Sequence, residues 1–394
     1  MIFLHLFSLL IREKCIASTK MPPQPPSSFS RILTFVLTRH GSRTPIYIFN
    51  KVNNNKKWRC DFDSITNNGF KRVIDDRLVD YPLNCAAGDL TNEGISQHFS
   101  LGQKVREYLG NNVDINGFSE EEFLVRTTSI NRAYRSAVSF IQGLTPPVFP
   151  NEKYKAITGS ESFDILRPNV RHCSELKKLR DEYTKSEYFI NELSESYEKM
   201  KNAYEILGIN LSSSDFNRIN LKETEKIEFL SSKRSSVCDF IVTNDCFEND
   251  IFDGETVDYC ENLFGTISNH FYHYDNEKAR FISFSQGFRE MFRIIDQRIA
   301  TKSNLKFALF SAHDSSVTAM LHALGQNVTA NPPYASHVIT DVLKKGSEYF
   351  VRFSYNGNII KIPYLDSYEE NIYSFDSFRA TINSLIDHCH DFDQ

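Results

Sequence analysis

The chain has 394 residues, of which 41% are hydrophobic and 24% are charged, and its formal net charge is −5. This length and composition are typical of a globular protein with one large α/β unit or two domains. The net negative charge argues against a nucleic-acid-binding protein with a broad basic face, so any anion site has to be local.

The first eleven residues are apolar and have the length of a signal-peptide core, which is too short to span a bilayer. We interpret residues 1–20 as a signal peptide that is cleaved around Ala17; the alternative is a chain that starts at Met21 without a signal. The proline-rich residues 21–30 lack core potential and form a lead-in. With no later stretch apolar enough to be a stable membrane anchor, we expect a secreted or lumenal protein.

Cysteines and glycosylation sequons also favour export. The eight cysteines are Cys15, Cys60, Cys85, Cys173, Cys238, Cys246, Cys260 and Cys389. Loss of Cys15 with the signal would leave seven cysteines, which can form at most three disulfides and leave one spare thiol. The sequence does not show how the cysteines pair. The sequons at Asn210 and Asn327 are candidate N-glycosylation sites.

The first elements alternate between strand and helix. Residues 31–38, RILTFVLT, are an apolar β-branched run that predicts a buried strand. Apolar residues recur at helical spacing in residues 91–109 and again in residues 129–144, with a short strand at 123–128 between them. Gly143 is expected to end the second helix.

The middle of the chain, residues 150–280, is richer in Lys, Glu, Ser and Asn. Its best helical stretch is 173–207, and it contains no buried strand run. We therefore predict a smaller, mostly helical cap inserted into an α/β core of residues 31–149 and 281–390.

Strands and helices alternate again after the cap. The sequence predicts a helix, a buried strand, a second helix and a hairpin, at residues 279–300, 305–312, 315–325 and 348–364. Alternation at both ends of the chain predicts the α/β class, with a mixed, mostly parallel central sheet flanked by helices.

Ionisable side chains follow three of the predicted strands. They are Arg39, His40, Arg43, Arg126, His313 and Asp314. Because ligands of open α/β sheets bind beyond the carboxyl ends of the strands, we expect these side chains to converge. Each has a structural alternative when taken alone: Asp314 can be a helix N-cap and His313 a core histidine. Their joint occurrence after three strands favours a functional site.

The chemistry of this set suits a phosphate group. Three arginines match the oxygens of a tetrahedral dianion. His40 would stay neutral beside arginines and act as nucleophile, and Asp314 would supply the proton for the leaving oxygen. Gly41 would let the backbone pass close to the ligand. His98 and His322 lie inside predicted helices and are interpreted as structural.

Other phosphate chemistries find no support in the sequence. It has no GxxxxGK[ST] nucleotide loop and no cysteine followed by an arginine six residues later. Residues 61–65, DFDSI, resemble an aspartate-nucleophile motif, but the residues before them are not a buried strand. No dense Asp and His cluster suggests a two-metal site, so we predict no metal.

Four ordered blocks resemble one known family. RHGSRTP at 39–45 matches the RHGxRxP signature of histidine acid phosphatases, in branch 2 of the histidine phosphatase superfamily. Residues 89–109 resemble its LTxxGxxQHxxLGxxLR block, residues 125–147 its VRSTxxxRxxxSAxxxLxGLxPP block, and residues 309–325 its SAHDxTxxxLLxALG block. The resemblance covers about residues 31–360 and is to members of the prostatic and lysosomal type.

The resemblance implies a role for each candidate residue. His40 would form a phosphohistidine, Asp314 would protonate the leaving alcohol, and the phosphate would be bound by Arg39, Arg43, Arg126 and His313. It also implies a phosphoglycerate mutase-like core with a helical cap, and no metal or organic cofactor. Members are secreted or lie in the lysosomal lumen, and several are dimers, so a homodimer is expected.

The expected function is that of an acid phosphatase acting on small phosphate monoesters or on phosphorylated proteins or lipids. One alternative is a phosphatase specialised for inositol polyphosphates or lysophosphatidate, although the His313–Asp314 pair disfavours the inositol-polyphosphate members that use HAE. The basic residues 53–57 near the expected mouth would then influence substrate choice. Another alternative is an inactive secreted glycoprotein that binds partners.

Overall fold

The computed structural model describes residues 12–49, 52, 58–60, 73–74, 77–78, 85–110, 121–145, 156–160, 163–168, 173–217, 219, 222–274 and 278–386. Its strands are β1 (Ser30–Arg39), β2 (Val73–Ile74), β3 (Arg77–Leu78), β4 (Phe123–Thr127), β5 (Ala156–Thr158), β6 (Phe307–Ala312), β7 (His337–Lys345), β8 (Glu348–Tyr355), β9 (Asn358–Ile359) and β10 (Ile372–Ser374).

The helices alternate with these strands in the first and last parts of the chain. They are α1 (Asn92–Leu109), α2 (Asn131–Leu144), α3 (Ser174–Tyr183), α4 (Glu187–Leu207), α5 (Ser213–Phe216), α6 (Thr224–Cys246), α7 (Gly254–His273), α8 (Lys278–Ile282), α9 (Ser285–Ile299), α10 (Asp314–Ala323) and α11 (Phe375–Ile386). A 3₁₀ turn, Glu13–Cys15, precedes β1.

A single large sheet forms the core, with strand order β10-β8-β7-β1-β6-β4-β5 and β9 beside β8. The pairs β1–β6, β6–β4 and β4–β5 are parallel, whereas β1–β7, β7–β8 and β8–β10 are antiparallel. The prediction of a mixed α/β sheet flanked by helices is confirmed, but the sheet is not mostly parallel: three of its pairings are parallel and four are antiparallel.

Strand β1 lies in the middle of this sheet because its sequence is apolar on both faces. Leu33, Phe35 and Leu37 pack into the cluster that contains α9 and α10 residues. Val36 points to the other face, where it joins residues of α1 and α2. A strand covered on both faces reads as a continuous apolar run. The carboxyl end of β1 therefore opens at the centre of the molecule.

The cap has an apolar cluster of its own. Its buried members come from residues 183–263, including Leu193 of α4, Phe240 of α6 and Leu263 of α7. The segment predicted to be the cap is therefore mostly helical, but β5 within it pairs with β4 of the main sheet. Among the described residues, no helix is both long and apolar enough to cross a membrane.

The segment from Arg12 onwards belongs to the folded protein. Cys15 forms a disulfide with Cys246, and Nη1 of Arg12 lies 3.1 Å from Oδ1 of Asp245. Cleavage around Ala17 or a start at Met21 would remove these contacts. The signal peptide over residues 1–20 and the alternative start both stay predictions. Residues 1–11 lie outside the described part of the chain.

Cys15, which signal cleavage would remove, is disulfide-bonded in the structure. Three disulfides join described cysteines: Cys15–Cys246, Cys60–Cys85 and Cys238–Cys260. Cys173 is disulfide-bonded as well, and none of the described cysteines is a free thiol. Cys389 lies outside the described residues.

Candidate active site

The three predicted strand ends lie side by side. Strand β6 is the parallel neighbour of both β1 and β4, with Arg39 opposite Ala312 and Thr127 opposite Ser311. The backbone N–H of His40 donates to the carbonyl of Ala312 at 3.0 Å. The rings of His40 and His313 consequently lie with their centroids 5.6 Å apart.

His40 is placed and charged as a nucleophile requires. The side chain is only 1% exposed. Its Nδ1 lies 2.8 Å from the carbonyl oxygen of Gly41, and since a carbonyl only accepts, Nδ1 carries the hydrogen and Nε2 keeps its lone pair. Burial lowers the pKa of His40 well below its ordinary value, and Arg132, Arg39 and Arg43 lower it further. The imidazole is therefore neutral.

Gly41 has a different role from the expected one. A Cβ at Gly41 would overlap the carbonyl of Gly94, and a Cβ at Gly94 would overlap the carbonyl of Ser42. The loop after β1 thus rests backbone to backbone on the first turn of α1. The side chain of Thr91 caps that helix by accepting from Gly94 N. Gly41 is required by this contact with α1.

Asp314 begins α10 and is ion-paired. Its Oδ2 lies 3.1 Å from Nη2 of Arg39, and its Oδ1 accepts from the backbone N–H of Ser315 at 2.8 Å. Burial raises the pKa of Asp314, but the attraction of Arg39, Arg43 and His313 outweighs burial and lowers the pKa below its ordinary value. The carboxylate is ionised in the free protein.

Arg43 connects the loop after β1 to the cap. Its Nη2 lies 2.5 Å from Oδ1 of Asp239 on α6, and Oδ2 of Asp239 accepts from Ile46 N at 2.8 Å. Burial opposes the charge of Arg43, yet Asp239 outweighs this effect and raises the pKa of Arg43. One aspartate of the cap therefore holds both an arginine and the backbone of the same loop.

The third arginine of the site is Arg132, which takes the place that the sequence analysis gave to Arg126. Arg132 lies in the first turn of α2 and lines the same cavity as His40. Among the described residues, none lies within ion-pairing distance of its guanidinium. Burial lowers the pKa of Arg132 to about 10, and Arg43 and Arg39 lower it too.

Arg126 is not brought to the cavity. It lies in β4, one residue before its end, and Nη1 lies 3.9 Å from Oε1 of Glu290 on α9. Because side chains alternate along a strand, Arg126 faces the opposite side of the sheet from Val125, which packs with α1 and α2. This orientation directs Arg126 towards α9.

The remaining histidines are held by contacts within the protein, and phosphate binding by His313 stays a prediction. His313 is buried, and its Nε2 lies 2.9 Å from Oγ1 of Thr128. Burial, followed by Arg132, lowers the pKa of His313, so this ring is neutral too. Nε2 of His98 bonds the carbonyl of Arg39 at 3.0 Å, and the ring of His322 stacks on Tyr272 at 4.5 Å.

The cavity has a volume of about 490 Å³. Its charged lining residues are Lys14, Arg39, Arg43, Arg132, Asp239, Glu261 and Asp314. Three of its four cations are paired with its three acids, since Lys14 lies 2.6 Å from Glu261 on α7. Arg132 is the exception among the described residues. The cavity thus offers one strong site for a dianion.

Sequence reasoning missed Arg132, Asp239, Tyr334 and Lys14. Arg132 was visible as the second arginine of the VRSTxxxRxxxSA block. The others come from segments distant in sequence, and nothing local marks them. Within the described residues, no group of three His, Cys, Asp or Glu side chains can hold a metal.

Two further sequence predictions remain predictions. Asn210 and Asn327 are both exposed, as N-glycosylation requires. The basic residues 53–57, expected near the mouth of the cavity, lie outside the described residues.

Comparison with known proteins places this site in a family. The model described as histidine phosphatase superfamily (branch 2) matches residues 34–356. Counting factor 60 of Dictyostelium discoideum is 24% identical over 400 residues, covering 94% of this chain and 90% of that protein. Prostatic acid phosphatase of Rattus norvegicus is 26% identical over 289 residues, covering 70% of this chain and 72% of that protein.

The fold has counterparts among solved structures. The phytase from Citrobacter braakii superimposes with a TM-score of 0.59 at 14% identity, covering 92% of this chain and 99% of the phytase. At this identity the likeness concerns the fold alone.

Proposed function

The chain belongs to branch 2 of the histidine phosphatase superfamily, and on this premise we propose that it is an acid phosphatase that hydrolyses phosphate monoesters through a covalent phosphohistidine. One observation carries the proposal: the neutral, buried His40 lines a cavity together with Arg39, Arg43, Arg132 and Asp314. This combination supplies a nucleophile, cations for the phosphate oxygens and a carboxyl group for proton transfer.

The reaction has two displacement steps at phosphorus. In the first, Nε2 of His40 attacks, a P–N bond forms, the ester P–O bond breaks, and the leaving oxygen takes a proton from Asp314. In the second, water attacks the phosphorus, its proton passes to Asp314, and the P–N bond breaks to release inorganic phosphate. Arg39, Arg43 and Arg132 stabilise the charge on the other phosphate oxygens in both steps.

Asp314 must gain a proton for the first step, although it is ionised in the free protein. A bound phosphate brings negative charge close to Arg39 and Arg43, which weakens their hold on the carboxylate and raises the pKa of Asp314. Below a pH of about 6 the ester itself carries a proton, because the second pKa of a phosphate monoester is near that value. Acidic conditions therefore favour the reactive complex.

The pairing of charges favours substrates with a single phosphate. Lys14, Arg39 and Arg43 are each engaged with an acid of the same cavity, so among the described residues that line it Arg132 is left for the incoming charge. A polyphosphate needs further unpaired cations around its other phosphates. This arrangement supports a phosphomonoesterase over an enzyme specialised for inositol polyphosphates.

A lysophosphatidate phosphatase is the second candidate, and apolar lining residues favour it. Ile46 and Tyr47 line the cavity and remain 38% and 48% exposed. Exposed apolar side chains beside a phosphate site can hold an alkyl chain or an aromatic group of a substrate. Activity on lysophosphatidate that exceeds activity on glycerol phosphate would favour this candidate.

An assay of the purified chain against a panel of phosphate esters, between about pH 4 and about pH 8, tests the proposal. The panel contains p-nitrophenyl phosphate, glycerol phosphate, lysophosphatidate, a sugar bisphosphate and inositol hexakisphosphate. We expect turnover that is highest in the acidic half of this range. A protein that hydrolyses none of these esters would be the inactive glycoprotein instead.

A further inference from the structure

The segment Arg12–Ala17 is attached to the cap near the cavity. The Cys15–Cys246 disulfide joins it to the last residue of α6. The backbone N–H of Arg12 donates to the carbonyl of Cys246 at 2.8 Å, and Nη1 of Arg12 lies 3.1 Å from Asp245. A covalent bond, a backbone hydrogen bond and an ion pair therefore fix this segment to one helix end.

The same segment is also paired with the core. Tyr334 N donates to the carbonyl of Cys15 at 2.9 Å, and Ala17 N donates to the carbonyl of Tyr334 at 2.9 Å. Ile16 and Tyr334 thereby form an isolated parallel bridge. Tyr334 lies three residues before β7 of the main sheet. Arg12–Ala17 thus spans the gap between α6 and the core.

Tyr334 in turn contacts the catalytic residues. It is 3% exposed, and the guanidinium of Arg39 lies over its ring, 4.3 Å from the centroid. The ring centroid lies 6.0 Å from that of His40. Arg39 also donates to the carbonyl of Pro332, two residues before Tyr334. The ring therefore restricts Arg39 in addition to its ion pair with Asp314.

Lys14 completes the link on the cavity side. Its Nζ lies 2.6 Å from Glu261 of α7 and 3.1 Å from Asp245 of α6. Both Lys14 and Cys15 line the cavity that contains His40. The segment lies outside residues 34–356, which match the family model, so the site includes a part that the family match does not cover.

We infer that Arg12–Ala17 is a positioning segment of the active site, which holds Tyr334 beneath Arg39 by bridging α6 and the core. Its role in catalysis rests on the proposed phosphatase function. Tyr334 is the positioning residue through which it acts, and the Cys15–Cys246 disulfide keeps it in place. Loss of the link frees Arg39 to leave the phosphate site, which weakens phosphate binding as well as turnover.

Variants of the full chain test this inference. They are the double variant Cys15→Ser with Cys246→Ser, Tyr334→Leu, Tyr334→Phe, and the control Leu193→Ala, which removes a buried side chain of the cap that does not line the cavity. Each is measured for kcat and KM with p-nitrophenyl phosphate, for Kd of inorganic phosphate by calorimetry, and for Tm.

We expect the Cys15/Cys246 variant and Tyr334→Leu each to weaken phosphate affinity and kcat/KM by roughly ten-fold. Tyr334→Phe keeps the ring and should stay within about two-fold of the native protein. The control should lower Tm and leave phosphate affinity unchanged. Because the segment acts through Tyr334, combining the serine substitutions with Tyr334→Leu should cost no more than either change alone.

Native phosphate affinity and kinetics in the Cys15/Cys246 variant, whatever its Tm, would overturn the inference, and so would an equal loss in the control. If the serine variant does not fold, Tyr334→Leu, which keeps the disulfide, decides the matter through the same two measurements. If the native protein hydrolyses no ester, the proposed function fails, while the affinity for inorganic phosphate still tests the positioning role.

Discussion

Nη2 of Arg39 lies 3.1 Å from Oδ2 of Asp314, so a phosphate-binding cation and the proposed proton donor are ion-paired before any substrate enters. A phosphate that binds Arg39 must compete with this carboxylate, and Asp314 becomes easier to protonate as the phosphate succeeds. Substrate binding and protonation of the acid are therefore coupled through one arginine.

The loss of kcat/KM on replacement of Asp314 should depend on the leaving group of the ester. We expect Asp314→Asn to lower kcat/KM for glycerol phosphate by roughly 10²–10⁴-fold, the usual scale of general acid catalysis. The loss for p-nitrophenyl phosphate should be smaller, because p-nitrophenolate leaves without a proton. Steady-state kinetics with the two esters measure the difference. Equal losses would remove Asp314 from the role of proton donor.

Arg126 and Arg132, the first two arginines of the VRTTSINRAYRSA block, should behave differently. Arg132→Ala removes the unpaired cation of the cavity, and we expect kcat/KM to fall by roughly 10- to 150-fold, as for a hydrogen bond to a charged group. Arg126→Ala removes a cation near Glu290 and should change kcat/KM by less than about two-fold. Kinetics of both variants with p-nitrophenyl phosphate provide the comparison, and a larger effect at Arg126 would reverse the assignment.

The pH profile should show no loss of nucleophile in the weakly acidic range. Burial lowers the pKa of His40, as do the neighbouring groups Arg132, Arg39, Arg43 and His313. A histidine with a lowered pKa stays neutral as the pH falls through its ordinary value of about 6.5. We therefore expect kcat/KM not to decline between about pH 7 and about pH 5. A decline centred near 6.5 would indicate that His40 is protonated there.

His40→Ala should remove both turnover and the phosphoenzyme. The native protein, quenched during turnover of ³²P-labelled ester, should retain acid-labile label on the chain, since a phosphohistidine P–N bond breaks in acid. The variant should retain none, because the nucleophile is missing. Full activity in His40→Ala would exclude this residue as the nucleophile.

Loss of one of the two acids beside Lys14 should broaden the choice of substrate. Glu261→Gln removes the acid that lies 2.6 Å from Lys14 and leaves Asp245 at 3.1 Å, so we expect kcat/KM for a sugar bisphosphate to rise by up to about five-fold relative to that for a monophosphate. Glu198→Gln is the matched control, since Glu198 pairs with Lys201 on the exposed face of α4. An unchanged ratio in Glu261→Gln would show that the pairing does not restrict substrates.

Elements buried on both faces were well predicted from the sequence. Strands β1 and β6 lie within two residues of the predicted runs 31–38 and 305–312 because apolar side chains cover both sides of the sheet there. Helix α1, Asn92–Leu109, matches the predicted helix of residues 91–109, and the side chain of Thr91 caps its first turn. Local pattern and tertiary structure agree at these elements.

Strand β7 was not predicted, and the reason is physical. It contains a buried Asp341, which reads as polar sequence, but Arg31 and Arg352 lie 2.9 Å and 3.0 Å from its carboxylate. These partners come from β1 and β8, so the compensation cannot be seen locally. Strand β8 accordingly pairs along its length with β7, whereas the predicted partner in 358–364 contributes only the two residues of β9.

The candidate site residues also fall into those that the sequence predicts and those that only the fold reveals. His40 and Asp314 follow strand ends directly, so their meeting could be predicted from topology alone. Arg126 was predicted in the phosphate site, but side chains alternate along β4 and this alternation turns Arg126 to the other face of the sheet. Asp239 and Cys15 reach the cavity from segments about 200 residues before or after the groups that they contact, a relation that the three-dimensional fold alone reveals.

The close approach of Gly41 and Gly94 limits how this enzyme can be altered. The two glycines leave no room for a side chain where the backbone of the nucleophile's loop touches that of α1, and even a methyl group on either one collides with a carbonyl. Asp239 on α6 also holds this loop, through Arg43 and the backbone of Ile46, and its side chain can be exchanged. An engineer who wants to retune the distance between nucleophile and phosphate should therefore leave both glycines intact and redesign α6.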